Sequence, residues 1–80
     1  MLYFTYVLKS SIDDKLYIGW TISIKNRLKQ HNSGKVYATK YRRPLKLIYY
    51  EACLHKELAI KREKQLKTGF GRKYLNNRIK

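Results

Sequence analysis

The sequence predicts a small α/β (α+β) domain, a three-stranded, mainly antiparallel sheet flanked by helices, and three observations carry that prediction. Two runs rich in aromatic and branched residues, Leu2 to Lys9 and Leu16 to Thr21, flank the polar stretch Ser10 to Asp14, as in a hairpin with a longer loop. Beyond Ser23 the apolar period changes from two to about 3.6 residues, where strand gives way to helix. After Pro44 a third apolar run, Leu45 to Leu54, leads into another helical pattern.

Each element has its own signals. Ser23 can cap a helix running to about Asn32, and Ser33 with Gly34 ends it. Lys35 to Arg43 reads as a basic loop with two tyrosines, closed by Pro44. His55 to Lys67 is expected to be helical, stopped by Gly69 and Gly71, with Arg72 to Ile79 as a short terminal helix. Register decides whether the first two strands build a site. Tyr6 and Tyr17 share a sheet face only if cross-strand partners sum to an odd number, for example Lys9 opposite Leu16, and a one-residue slip would separate them. Gly19, lacking a side chain, would then leave the space beside Tyr17 open to a phosphate backbone.

Eighty residues suit one domain, 1–80, with a small core and no separate targeting domain. Cys53 is the only cysteine, which excludes an intrachain disulfide and a zinc finger and suits a reducing cytoplasm. Its place near the end of the third strand marks it as a core residue. Lys9 interrupts the N-terminal apolar run, so neither a signal peptide nor a span is expected.

The formal charge of +14, from 19 Lys and Arg against 5 acids, exceeds what solubility needs and implies a polyanionic partner. The cations lie on turns, loops and several helix faces rather than on one amphipathic helix, which favours nucleic acid over an anionic membrane. Lys35, Lys40, Arg42 and Arg43 form the expected phosphate-contacting surface, with Tyr37 and Tyr41 able to stack on unpaired bases. Lys9, Lys67, Arg72 and Lys73 extend it. Nothing in this set reads a base sequence.

On a helical wheel Ile24 and Leu28 mark the inward stripe of the first helix, and Arg27 and His31 fall on or beside it. The second helix repeats the pattern, with Leu58, Ala59 and Leu66 inward and Glu63 at the edge. A carboxylate beside a core needs a partner. Taken singly, Arg27 and His31 fit snorkelling or satisfied boundary residues, Glu63 fits an ion pair with Arg62 or Lys67, and Tyr6 and Tyr17 fit ordinary strand positions.

Taken in order, Phe4-Thr5-Tyr6, Tyr17-Ile18-Gly19, the stretch Lys25 to Asn32 holding Arg27 and His31, and Ala59-Ile60-Lys61-Arg62-Glu63 resemble the GIY-YIG endonuclease family, in particular its small stand-alone, excinuclease-subunit-C-like members, from about Leu2 to Lys67. The resemblance implies a metal-dependent DNA endonuclease, structure-directed rather than sequence-specific, with Tyr6, Tyr17, Arg27, His31 and Glu63 catalytic. Glu63 is then the single carboxylate ligand of Mg²⁺ or Mn²⁺. Arg27 would stabilise charge on the scissile phosphate, since a planar fork of donors matches phosphate oxygens.

Tyr17 is the base that the resemblance implies. Phenols ordinarily ionise near pH 10, so a tyrosine base needs cationic help. His31 is its rival, because an imidazole titrates near neutrality unaided, and Tyr6 would then order the water or the phosphate. Two positions depart from the family pattern: Phe4-Thr5 stands for Gly-Ile, and Trp20 occupies a place where some relatives carry lysine. The second removes a cationic proton-transfer group. It keeps open a nucleic-acid-binding module that cuts poorly, or that needs a partner protein to choose its substrate. A basic RNA-associated structural protein is a third reading, but it leaves the inward Arg27, His31 and Glu63 without a purpose. Substrate shape and oligomeric state are open at this level.

Overall fold

The computed structural model describes residues 1–79. Strands β1 (Tyr3–Ser10), β2 (Leu16–Thr21) and β3 (Leu45–Cys53) form one antiparallel sheet in the order β2-β1-β3. Helix α1 (Ile24–Asn32) covers one face, and α2 (Lys56–Leu66) and α3 (Gly69–Ile79) cover the other. A short 3-10 turn, Tyr37–Thr39, interrupts the basic loop.

The register is the one that puts both tyrosines on one face. Lys9 pairs with Leu16, Leu8 with Tyr17 and Tyr6 with Gly19. The sheet then separates two cores. Tyr6, Leu8 and Leu45 pack with Tyr17, Leu28 and Leu47 on the α1 side, while Val7, Ile18, Leu66 and Leu75 form the core opposite. A bulge between Val7 and Leu8 in the β1–β3 pairing lets Ile48 and Tyr49, adjacent in sequence, both join the α2/α3 side.

Local chemistry sets α1. Ser23 is its N-cap and accepts from the Asn26 amide at 3.4 Å. At the far end Gly34 takes φ +81°, with Gly34 N–H on His31 C=O and Lys35 N–H on Gln30 C=O, a Schellman closure. Asn32 then ties this end to the sheet: its amide nitrogen donates to Leu45 C=O at 3.0 Å and its oxygen accepts from Leu45 N–H at 2.7 Å. That clamp fixes the neighbouring His31.

The second half of the chain differs from expectation in two details. Gly69 and Gly71 do not stop α2; they lie inside α3, and Lys67 is the C-cap of α2. Thr68 starts α3, its hydroxyl donating to Gln65 C=O at 2.7 Å and accepting from Gly71 N–H at 3.1 Å. Gly71 is a close-approach residue, because a Cβ there would lie 2.4 Å from Leu66 Cα. Leu58, expected on the inward stripe, is 52% exposed. Ala59 takes the inward place, its small side chain letting α2 approach β1 closely enough for Thr5 Oγ1 to donate to Ala59 C=O at 2.9 Å.

Candidate active site

Tyr6 stands in the middle of β1, 2% exposed, on the face covered by α1. Across from it Gly19 is a steric requirement, since a Cβ there would come within 2.5 Å of the Tyr6 hydroxyl. The phenol therefore lies over the backbone of β2. Two side chains of α1 converge on its oxygen. Arg27 Nε donates to it at 3.3 Å, and it lies 2.9 Å from His31 Nε2. Burial raises the Tyr6 pKa, partly offset by the Arg27 guanidinium.

His31 is fully buried, and its Nδ1 sits 2.7 Å from the hydroxyl of buried Thr39. A guanidinium can only donate, so the phenol oxygen accepts from Arg27 and is free to donate to His31 Nε2. His31 Nδ1–H then donates to Thr39. Burial, helped by the Arg27 charge, lowers the His31 pKa to about 4, which keeps the imidazole neutral at neutral pH. With both nitrogens occupied and no exposed surface, His31 meets Tyr6 and not solvent.

Tyr17 is the more accessible phenol. It is half-buried, its ring 5.0 Å from the His31 ring and 6.4 Å from that of Tyr6, and its hydroxyl has no hydrogen bond among the described residues. Arg27 spends one further donor on Gln30 Oε1 at 2.9 Å and meets no carboxylate among the described residues. Its charge remains available to an anion.

The family model for the GIY-YIG catalytic domain matches residues 2–77. The chain belongs to the GIY-YIG family. That family is one of nuclease domains. The chain is similar to a UPF0213 protein of Syntrophus aciditrophicus, 47% identical over 66 residues that span 80% of this chain and 75% of that one. A UPF0213 protein of Staphylococcus epidermidis is 40% identical over 67 residues, 82% of this chain and 80% of the relative. Among solved structures, the NMR structure of a UPF0213 protein from Bacillus halodurans superposes with a TM-score of 0.59 at 30% identity, over 96% of this chain and 84% of that one.

Within this GIY-YIG domain Glu63 makes no hydrogen bond to Tyr6 or Tyr17 among the described residues. It lies on α2, against the reverse face of the sheet, with its side chain 17% exposed and its carboxylate 3.2 Å from Lys67 Nζ. Its field adds to the rise in the Tyr6 pKa, behind burial and a smaller contribution from Tyr17. No group of three His, Cys, Asp or Glu side chains converges on one point among the described residues. A protein cage for a metal is thus lacking among the described residues, but one carboxylate with phosphate oxygens and waters is a donor set that Mg²⁺ accepts.

Both departures from the family pattern have packing accounts. Thr5 docks α2 as described, and the Phe4 ring meets Tyr50 edge-on at 6.0 Å. Trp20 faces α2, with Lys56 Nζ 5.4 Å from its ring centroid.

The basic loop separates into free and tethered cations. Lys35, Lys40, Tyr37 and Tyr41 are exposed, with Lys40 Nζ 5.4 Å from the Tyr41 ring centroid. Arg42 is half-buried, 3.3 Å from Asp13, and its carbonyl accepts from Ser10 at 2.7 Å, so it ties the loop to the hairpin. Arg43 Nε donates to Lys40 C=O at 2.8 Å. On the other side of the molecule Lys67, Arg72 and Lys73 are exposed, and no helix is long and apolar enough to cross a membrane among the described residues.

Sequence reasoning missed Thr39 and Asn32. Thr39 lies in a loop eight residues beyond His31, and no periodicity links the two. Asn32 next to the Ser33-Gly34 stop resembles an ordinary helix end.

Proposed function

We propose that this GIY-YIG domain is a divalent-metal-dependent endonuclease of DNA, directed by the shape of its substrate rather than by base sequence. The observation that carries the reading is the Arg27 guanidinium, held by the buried Tyr6–His31 pair and free of any carboxylate partner among the described residues. On the other face of the sheet, by contrast, Arg62 is paired with Glu51. Arg27 presents its charge where a phosphodiester would develop more negative charge on the way to cleavage.

Hydrolysis needs a proton acceptor for water, charge stabilisation, and help for the departing oxygen. Tyr17 is assigned as the acceptor, because Tyr6 and His31 are buried and bonded to each other while the Tyr17 hydroxyl is free. Arg27 binds the non-bridging phosphate oxygens. Tyr6 orients Arg27, and His31, with Thr39, holds Tyr6. Glu63 would hold the metal, Mg²⁺ or Mn²⁺, which when bound would polarise the phosphate and ease loss of the leaving oxygen. Lys35, Tyr37, Lys40, Tyr41 and Arg43 would contact one stretch of nucleic acid and Lys67, Arg72 and Lys73 another, with Arg42 supporting the loop.

The Glu63–Lys67 ion pair favours a second reading, a binding module without cleavage, since that carboxylate already has a partner. One assay separates the two. Purified protein is incubated with plasmid, branched DNA and single-stranded DNA in Mg²⁺, Mn²⁺ and EDTA. Cleavage that needs metal and favours branched or unpaired DNA is expected. Binding without cleavage in either metal would replace the enzyme by the module.

A further inference from the structure

A cavity of about 560 Å³ opens between the edge strand β2 and helix α3. Its composition is divided. Half-buried Leu16 gives it apolar surface above the closed-off Ile18 and Leu75, while Lys15, Lys67 and Arg72 place three cations on its walls and Asn76 adds an amide. Tyr17 lines it as the residue between Leu16 and Ile18, its ring turned to the other face beside His31, and Lys67, on the cavity wall, holds Glu63 at 3.2 Å. The cavity thus borders the Glu63–Lys67 pair on the α3 side of the sheet.

We infer that this cavity receives one unstacked nucleotide of the substrate strand. Its volume is in the ~300–1,000 Å³ range of pockets that hold a small molecule. The apolar surface at Leu16 suits one face of a base, the cations suit a phosphate, and an amide can bond a base edge. A duplex cannot offer a base to this cavity without unstacking and unpairing it, which costs energy that an already unpaired nucleotide does not spend. Preference for branched or single-stranded DNA then has a physical origin in a protein whose other cations meet only backbone. The inference rests on the endonuclease reading for its choice of a strand as ligand; the cavity itself does not.

The test is binding, read by amide resonances of the ¹⁵N-labelled full chain without metal, so that it stands apart from cleavage. Thymidine 5′-monophosphate, inorganic phosphate, a single-stranded thymidine tetranucleotide and a short blunt duplex are titrated separately. Expected are shifts centred on Lys15–Ile18 and Arg72–Asn76 with the mononucleotide, and at least about tenfold tighter binding by the tetranucleotide, whose further phosphates reach other cations. Asn76→Trp fills the cavity from the exposed face of α3 and should weaken the mononucleotide at least tenfold; Arg72→Ala should weaken it severalfold. Unchanged resonances elsewhere verify that each variant folds.

Shifts that avoid the cavity would overturn the inference, even if the protein cleaves DNA. So would equal affinity for inorganic phosphate and the mononucleotide, which makes the site a phosphate contact only. Equal affinity for mononucleotide and tetranucleotide would make a free nucleotide the ligand and refute the strand assignment. Shifts at the cavity with tighter tetranucleotide binding, in a protein that never cleaves, would uphold the cavity and dismiss the endonuclease.

Discussion

Two arginine–tyrosine clusters sit on opposite faces of one sheet, and a carboxylate closes only one of them. On the α2/α3 side Arg62 meets Glu51 through Nε at 2.9 Å and Nη2 at 3.0 Å, Tyr49 donates to the same carboxylate at 2.6 Å, and Arg62 lies 4.7 Å from the Tyr74 ring. Burial would raise the Glu51 pKa, but the hydrogen bonds from Arg62 and Tyr49 outweigh it and hold the carboxyl below its usual range. The charges of Arg62 and Glu51 are matched there, and Arg78 stacks on the same Tyr74 ring at 5.1 Å. On the α1 side Arg27 bonds a phenol and an amide, and its charge is left over. The first arrangement joins β3, α2 and α3; the second leaves charge available to a ligand and suits it to chemistry.

Exchanging the clusters' losses is the strongest way to break this comparison. Arg27→Ala is expected to lower cleavage about 10²- to 10³-fold, the usual cost of one transition-state donor, with a smaller effect on stability. Arg62→Ala leaves the half-buried Glu51 with only the Tyr49 hydroxyl bonded to it and should cost about 1–3 kcal/mol of unfolding free energy, with cleavage per folded molecule retained. Glu63→Ala belongs with Arg27: metal-dependent cleavage should vanish, while the lost exposed pair with Lys67 costs only about 0.3–0.5 kcal/mol. Denaturant melts and single-turnover rates on the same preparations decide. Were Arg62→Ala to lose cleavage as fully as Arg27→Ala while staying folded, matched charge would not mark the structural cluster.

The next contrast is inside the open cluster. Tyr17→Phe keeps the ring and should lower cleavage about 100-fold or more at unchanged stability, the usual worth of a general base. His31→Gln should act through Tyr6 and lower stability as well, because it disturbs bonds to both Tyr6 and Thr39. A fully active Tyr17→Phe enzyme beside an inactive but folded His31→Gln enzyme would move the base to His31. The parental rate would then rise with pH through about 4, where His31 titrates, rather than through the ordinary imidazole range.

His31 also makes a prediction about stability. Its folded pKa of about 4 lies below the ordinary 6.5, so between those values the unfolded chain binds a proton that the folded chain refuses. Stability contributed by the neutral imidazole is therefore complete above pH 6.5 and is lost as pH falls towards 4. At ~1.4 kcal/mol for each tenfold change in proton affinity, the loss approaches about 3 kcal/mol. Denaturant melts from pH 7.5 to 4 measure it, and His31→Gln should flatten that window. A parental curve already flat there would mean that His31 is solvated in the folded protein.

Much of this was legible in the sequence. Aromatic and branched residues placed β1 and β2, and the condition for Tyr6 and Tyr17 to share a face, an odd-sum register, could be stated from the sequence and is met in the structure. The helical period brought Arg27 and His31 inward beside Leu28. What escaped depended on contacts between distant segments. The bond from His31 to Thr39, the choice of Ala59 over Leu58 and the crossing that demands Gly71 all follow from how closely elements approach, which spacing along one element does not encode. Composition marked Arg42 as a phosphate contact, whereas Asp13, in a turn far away in sequence, ties it into the fold.

The smallest effects are expected in that loop, and they test whether charge closure separates roles on the surface as well. Lys40 has no carboxylate partner among the described residues, whereas Arg42 has Asp13. Each free cation that neutralises a phosphate contributes about −0.9 to the slope of log affinity against log salt on duplex DNA. Lys35→Ala and Lys40→Ala should each reduce the slope by about one while leaving the melting curve in place. Arg42→Ala should leave the slope nearly unchanged and lower stability, because Asp13 is then a carboxylate without its partner and the loop loses a tie to the hairpin. Fluorescence anisotropy across a salt series, paired with melts of the same variants, reads both quantities. If Arg42→Ala reduces the slope as much as Lys40→Ala, the arginine releases Asp13 when nucleic acid arrives, and pairing in the free protein does not predict which surface cations bind.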